Sequence, residues 1–144
     1  MLFRSLSLPA SDTIEFLDRI IFNFIVGNGD AHGKNISVLY RNGVIELAPM
    51  YDVMSTAIYP DVGKRMAMKI DGEYDFKWIT PGKFVRMASK VGIGENVVRK
   101  EMAKMIRRIS RKLPQLVRSS THRYPSSCYA EIADGINQRI KQLT

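Results

Sequence analysis

The feature that most constrains this chain is a pair of β-rich runs, Ile36–Tyr40 and Val44–Ala48, joined by Arg41-Asn42-Gly43. Asn-Gly between two such runs is the strongest short-range hairpin signal, because both residues tolerate positive φ. A hairpin returns the chain to where it began. Antiparallel strands lie ~5 Å apart, so the residues after Ala48 come back beside Asn35. Pro49 ends the second strand, and Asp52 then falls close to the return point. A polar loop, Gly27-Asn28-Gly29-Asp30-Ala31-His32-Gly33-Lys34-Asn35, stands directly before the first strand. The hairpin therefore gathers Asp30, Asn35 and Asp52 towards a common spot.

A helix leads into that loop. Ser11 or Asp12 is a good N-cap, and Glu15 stands near enough for a capping box. Ile14, Phe16, Leu17, Ile20, Ile21, Phe24 and Ile25 then follow the i, i+3, i+4, i+7 spacing of an amphipathic helix. Phe22 and Val26 add apolar surface on other faces, which predicts a deeply buried end. Gly27, Asn28 and Gly29 stop it.

Beyond the hairpin, Met50 to Asp61 has no clean period and reads as a loop with a short helix. Met66–Ile70 reads as a strand with Asp71-Gly72 as its turn. The rest is helical. Thr80 caps a helix with Pro81 at its first position and Gly92 at its end. Val98, Met102, Met105, Ile106, Ile109 and Leu113 keep helical spacing from Glu95 to Val117, with Pro114 expected to kink or split the helix. Ser126 or Ser127 opens a last helix through Tyr129, Ile132, Ile136, Ile140 and Leu143. The expected class is mainly α with a small β-hairpin, an α+β fold in which residues 1–144 form one domain.

Composition narrows the function. With 45% hydrophobic residues the chain can bury a core, which excludes wholesale disorder. Lys and Arg number 22 against 14 Asp and Glu, a net +8 that favours phosphates or acidic protein surfaces as partners. Cys128 is the only cysteine, so neither an internal disulfide nor a cysteine zinc site can form, and a reducing, cytoplasmic compartment is expected. The longest uncharged apolar stretch, Ile20 to Gly29, is ten residues, short of the ~20 that span a membrane. Pro9 interrupts the few apolar residues after Arg4, so no signal peptide is read there.

Oxygen-bearing side chains beside a Lys are what Mg²⁺–nucleotide phosphoryl transfer needs. Mg²⁺ takes one or two protein oxygens plus substrate phosphates. A carboxylate must orient the attacking hydroxyl, and cations must offset charge on the phosphoryl oxygens. Asp30 is the candidate base, with Asn35 and Asp52 the candidate metal ligands. An Asp five residues before an Asn, with a further Asp after a hairpin, is the order protein kinases use. Taken singly, Asp30 and Asn35 also suit turn chemistry, and Asp52 a helix cap.

Asn28-Gly-Asp30-Ala-His32-Gly-Lys34-Asn35, followed by Ala48-Pro49-Met50-Tyr51-Asp52-Val53, resembles the catalytic core of the HipA family of bacterial serine/threonine kinases. Ala67-Met-Lys-Ile70 and Gly72 are similar to its downstream segment. The resemblance implies the larger C-terminal lobe of a kinase-like fold, ATP and Mg²⁺ as cofactors, Asp30 as base, and Asn35 and Asp52 as the nucleotide–metal ligands. His32 and Lys34 complete the catalytic set. It also implies the toxin of a toxin–antitoxin pair, a DNA-binding antitoxin as partner, DNA contact through that antitoxin, and a protein substrate of the glutamyl-tRNA synthetase type. No glycine-rich loop precedes Asp30, since the first glycine is Gly27. The nucleotide-covering N-terminal lobe is therefore expected to be missing or separate, and the chain alone to be catalytically silent. Two other readings stand beside this one: a non-enzymatic module that binds an antitoxin or DNA, and a metal-dependent phosphohydrolase using Asp30, His32 and Asp52.

Several residues carry bland readings. His32 suits a buried, hydrogen-bonded loop position better than a metal site, because the other histidine, His122, is remote. Lys34 suits a phosphate contact and a solvated surface equally. Arg99, Lys100, Lys104, Arg107, Arg108, Arg111 and Lys112 would suit a nucleic-acid backbone. With no base-reading motif, a solvated helix face is the simpler reading. Tyr40, Tyr51, Tyr59, Tyr74 and Trp78 show no stacking period, and Cys128 has no basic partner to activate it.

Overall fold

The computed structural model describes residues 10–41, 43–62 and 65–144. Its elements are α1 (Ala10–Val26), β1 (Val38–Arg41), β2 (Val44–Leu47), β3 (Arg65–Ile70), β4 (Glu73–Asp75), α2 (Pro81–Ser89), α3 (Glu95–Arg123) and α4 (Cys128–Leu143). Single 3₁₀ turns occupy Gly33–Asn35, Thr56–Ile58 and Phe76–Trp78. The fold is thus mainly helical, with two small antiparallel sheets.

α1 is the hub. Leu17, Ile21, Phe24 and Ile25, at the spacing of one helical face, are all at most 1% exposed. Phe24 lies against Phe76 and Phe84, with ring centroids 5.8 and 5.7 Å away. Fully burying one such side chain stabilises the fold by roughly 1.5–3 kcal/mol. Val98 and Met102 of α3, Ala88 of α2, and Ile136 and Leu143 of α4 close the same core. α1 already includes Ala10, so Ser11 and Asp12 lie inside its first turn and do not cap it. The segment around Pro9 lies outside the described residues.

The C-terminus of α1 is a Schellman motif: Gly27 N–H donates to the Phe24 carbonyl (3.1 Å) and Asn28 N–H to the Asn23 carbonyl (2.9 Å). Gly27 has φ +75°, and a Cβ there would sit 2.6 Å from the Arg139 guanidinium, so only glycine fits. Arg139, on α4, donates from Nε to the Ile25 carbonyl at 2.8 Å. Burial alone draws its guanidinium down to about 10, still cationic at neutral pH. No carboxylate pairs with it among the described residues. Its compensation is the carbonyl end of α1, where the helix dipole is negative. Gln142 of the same helix donates to the Phe76 and Ile79 carbonyls at 2.7 and 2.5 Å. α4 thereby ties the end of α1 to the turn after β4.

The expected hairpin forms, but its register, Val38↔Leu47 through Arg41↔Val44, draws Arg41 into β1 and leaves a two-residue turn in place of the three-residue connection. Gly43 has φ +78°, while Asn42 lies outside the described residues. Asp71 (φ +48°) and Gly72 (φ +84°) form the expected turn, which leads into β4, a strand absent from the expectation because its three residues are too short to show alternation in sequence. One expectation needs correction. α3 runs unbroken through Pro114 to Arg123. Proline there removes one N–H donor, and the buried stripe from Val98 to Leu113 holds the helix regardless.

Asp71 also fastens the β3–β4 turn to α2, accepting from Arg86 Nε at 2.6 Å and Lys90 Nζ at 2.7 Å. These bonds, Lys90 first, hold its carboxyl down at about 2. A depressed carboxyl stabilises the fold above its ordinary pKa, and that contribution is lost as the pH falls from 3.8 towards about 2. Asp71→Asn should therefore flatten the acid limb of a Tm-against-pH curve over that window. An unchanged limb would show that the pair contributes nothing.

Candidate functional site

The polar loop leaves the Schellman turn in a tight course fixed by its own backbone and by Asn28. Asn28 is 3% exposed. Its Nδ2 donates to Asn23 Oδ1 on α1 (2.9 Å) and, more weakly, to the Asp52 carbonyl (3.4 Å). Its Oδ1 accepts from Asp30 N–H (3.1 Å). One buried amide thus joins the helix, the loop and the segment returning from the hairpin. Thr56, also buried, accepts from Gly29 N–H at 2.7 Å, and Ala67 N–H of β3 donates to the Gly29 carbonyl at 2.8 Å.

Asn35, reached through the Gly33–Asn35 turn, is where the sequence expectation meets the structure. Its Nδ2 donates to Asp52 Oδ2 at 3.1 Å and contacts the Asp30 carbonyl at 3.3 Å. Asp30 and Asp52 therefore flank one amide. Asp52 has φ +55°, a left-handed conformation that non-glycine residues seldom adopt and that Asp tolerates better than most. It caps no helix; the next turn, Thr56–Ile58, begins after Ser55. Tyr51, beside it, donates its hydroxyl to the Lys34 carbonyl (2.7 Å), with Ser37 Oγ 2.8 Å away.

The remaining expected residues are placed differently. His32 is half-buried: Nε2 is 4.0 Å from Asp30 Oδ1, and Nδ1 is shielded without a hydrogen-bond partner among the described residues. The expected buried, hydrogen-bonded histidine is thus corrected, because the loop turns the ring towards Asp30 and leaves its other nitrogen unmatched. Lys34 is exposed, and its side chain makes no ion pair among the described residues. A cavity of about 420 Å³ opens beside the cluster. His32, Asn35 and Asp52 line it together with Phe16, Ile20, Met66 and Met87.

Asn28 and Tyr51 stand among the motif residues, but the sequence assigns neither a bonding role, and Thr56 lies outside those motifs; only its closeness to Asp52 in sequence hints at a role. As for a metal, among the described residues no group of three or more His, Cys, Asp and Glu could hold one. A carboxylate and an amide at hydrogen-bond separation are, however, the hard oxygen donors that suit Mg²⁺ shared with phosphates.

This arrangement defines an α+β domain whose Asp30, Asn35 and Asp52 meet where a helix-end loop joins a hairpin. Comparison with known proteins is consistent. The HipA-like C-terminal domain family matches residues 1–117. The protein Y4mE of Sinorhizobium fredii is 32% identical over 142 residues, covering 98% of this chain and 34% of the relative. The serine/threonine-protein kinase toxin HipA of Shewanella oneidensis is 29% identical over 109 residues, covering 76% of this chain and 25% of the toxin. A solved complex of Shewanella oneidensis HipA, HipB and operator DNA contains a chain that superposes with a TM-score of 0.72 and 28% identity, over 90% of this chain and 30% of that one. The chain belongs to the HipA-like C-terminal domain family. It spans about a quarter to a third of the length of these relatives.

Asn28→Ala would leave Asn23 Oδ1 and Asp30 N–H without their partner. Each unsatisfied buried group costs ~1–3 kcal/mol, so the variant should lose about 2–3 kcal/mol in urea unfolding. A loss below about 0.5 kcal/mol would show that the loop is held by its backbone alone.

Proposed function

We propose that this chain is the catalytic lobe of a HipA-like, ATP-dependent serine/threonine protein kinase, a cytoplasmic toxin that transfers the ATP γ-phosphoryl group to a protein hydroxyl. The observation that carries this reading is the double contact of Asn35 Nδ2 with the Asp30 carbonyl and the Asp52 carboxylate. Asp30 presents a half-exposed carboxylate, free to accept a hydrogen bond from the incoming hydroxyl and aim its oxygen. Positioning of that kind, together with charge compensation, makes up most of phosphoryl-transfer catalysis. Asn35 and Asp52 would hold Mg²⁺, which when bound neutralises charge on the phosphate oxygens. Lys34, exposed on the same turn, would offset charge on the transferred group. His32 would keep Asp30 oriented from 4.0 Å away.

Residues 1–144 would act as one domain working with a nucleotide-covering lobe, either elsewhere in a longer protein or supplied separately. A DNA-binding antitoxin is the proposed partner, since the superposed relative was solved with HipB and operator DNA. The resemblance points to a substrate of the glutamyl-tRNA synthetase type. The phosphohydrolase reading fits less well, because Asn35 occupies the central place and His32 reaches Asp30 alone among the carboxylates.

In protein that contains both lobes, Asp30→Asn should cut phosphate transfer by about 10²–10⁴-fold while leaving Tm within a degree or two. Asp52→Ala should instead raise the Mg²⁺ and ATP concentrations needed for half-maximal rate. Radiolabelled transfer measured across a Mg²⁺ titration separates the two. Wild-type rates for Asp30→Asn would remove it from the mechanism. The 144-residue chain alone should bind Mg²⁺–ATP only in the millimolar range by calorimetry, because one wall of the nucleotide site loses several of the ~1.4 kcal/mol steps that each make a decade of affinity.

A further inference from the structure

Two unfavourable choices in α4 serve one guanidinium. Arg139 is 8% exposed and has no carboxylate partner among the described residues. Its Nη2 is buried without a hydrogen-bond partner among them. A buried, unpaired cation is costly, and an apolar side chain would fill the same space at less cost. Gly135 stands in the interior of the same helix, where glycine is a poor helix former. A Cβ at Gly135 would come within 3.1 Å of Arg139 Nη2, and one at Gly27 within 2.6 Å. Two glycines from opposite ends of the chain thus wall one slot, and the guanidinium fills it. Phe76 packs beside it, with its ring centroid 5.8 Å from Cζ.

The place of the slot supplies a reason. Arg139 Nε donates to the Ile25 carbonyl at 2.8 Å, and Asp30 follows Ile25 by five residues. The Gly27 carbonyl accepts from Ala57 N–H at 3.0 Å, and Ala57 follows Asp52 by five residues. A Cβ at Gly27 would meet both the guanidinium and the Ala57 Cβ, so Arg139 sits at the joint between these two segments. Thr56 extends that joint, accepting from Gly29 N–H at 2.7 Å. Each aspartate is therefore carried on a short, tightly bonded stretch that starts beside Arg139. A guanidinium is a planar fork with fixed donor directions, whereas an apolar side chain would fill the slot without orienting the carbonyl below it.

We propose that Arg139 is a positioning residue of the phosphoryl-transfer site. Seated between Gly27 and Gly135, its guanidinium sets the angle at which the loop leaves α1, and so the placement of Asp30 against the Asn35–Asp52 pair. It acts through Ile25 and Gly27, not by touching reacting groups. The reaction it serves rests on the kinase reading; the positioning itself is read without catalysis.

The test uses the ¹⁵N-labelled chain with Arg139→Ala, which empties the slot, and circular dichroism to report folding. In the folded variant the backbone amide signals of Gly29 and Asp30 and the side-chain amide signal of Asn35 should leave their wild-type positions. Millimolar methylguanidinium should restore them, and methylammonium at equal concentration should not, because only the planar fork matches the slot. In protein that contains both lobes, kcat should fall about 10²-fold, as for a displacement of ~1 Å, with KM unchanged and with recovery in methylguanidinium. Wild-type signals in folded Arg139→Ala overturn the proposal. So does a displacement that methylguanidinium leaves in place, or that methylammonium restores equally. If Arg139→Ala does not fold, Gly135→Ala decides. Alanine at a mid-helix glycine ordinarily raises Tm; here it should lower Tm and displace the same three signals. Unmoved signals in folded Gly135→Ala overturn the proposal whatever the Tm. Absence of transfer by wild-type two-lobed protein would refute the kinase reading and leave the signal test standing.

Discussion

The buried amide of Asn28 is the contact on which the site depends. A side-chain amide offers two donors and an acceptor in one plane, and here it reaches three chain segments: Asn23 on α1, the Asp30 N–H and the Asp52 carbonyl. Hydrophobic packing can bring a helix and a hairpin together, but it is non-directional. Fixing where Asp30 leaves the helix, and how Asp52 returns past it, needs directed bonds. Asn35 then closes the arrangement from the other side, touching both aspartates through one nitrogen. Asp52 holds a left-handed backbone while its carbonyl meets Asn28 and its carboxylate meets Asn35. Strain of order 1–3 kcal/mol persists only where surrounding contacts over-determine it.

That polar junction rests on a rigid floor. Phe24, three residues before Gly27, is clamped between Phe76 and Phe84. Arg139 and Gln142 of α4 bind backbone carbonyls at the end of α1 and in the turn after β4. The last helix lies beyond the segment matched by the family, residues 1–117, yet it seats the start of the loop. On the proposed kinase reading, a carboxylate that aims a hydroxyl within fractions of an ångström would benefit from this support. The same packing leaves α3 to present an outer face on which Lys104 pairs with Glu101 while Lys100, Arg107, Arg111 and Arg118 make no ion pair among the described residues.

Much of this was legible in the residues. The α1 stripe, the positive φ of Gly43 in the hairpin turn and the glycine stops at Gly27 and Gly92 each express a local rule that tertiary structure did not override. The convergence of Asp30, Asn35 and Asp52 followed from hairpin geometry alone. Other features needed the fold. β4 is too short to show a period. Pro114 ordinarily breaks a helix, but the buried stripe around it outweighs one missing bond. The roles of Asn28 and Tyr51 depend on partners 24 and 17 residues away. Nothing local distinguishes them from turn and surface residues. Likewise, the meaning of the basic run depends on which side of α3 is buried.

The central claim is that Asn35 and Asp52 form one ligand pair beside Asp30. Paramagnetic broadening tests it directly. In ¹⁵N-labelled chain with millimolar ATP, trace Mn²⁺ standing in for Mg²⁺ should erase the Asn35 side-chain amide signal before any other, followed by the backbone signals of Asp52 and Asp30. Asp52→Ala should abolish that selectivity. Broadening centred elsewhere in the molecule, or an unchanged pattern in Asp52→Ala, would contradict the account.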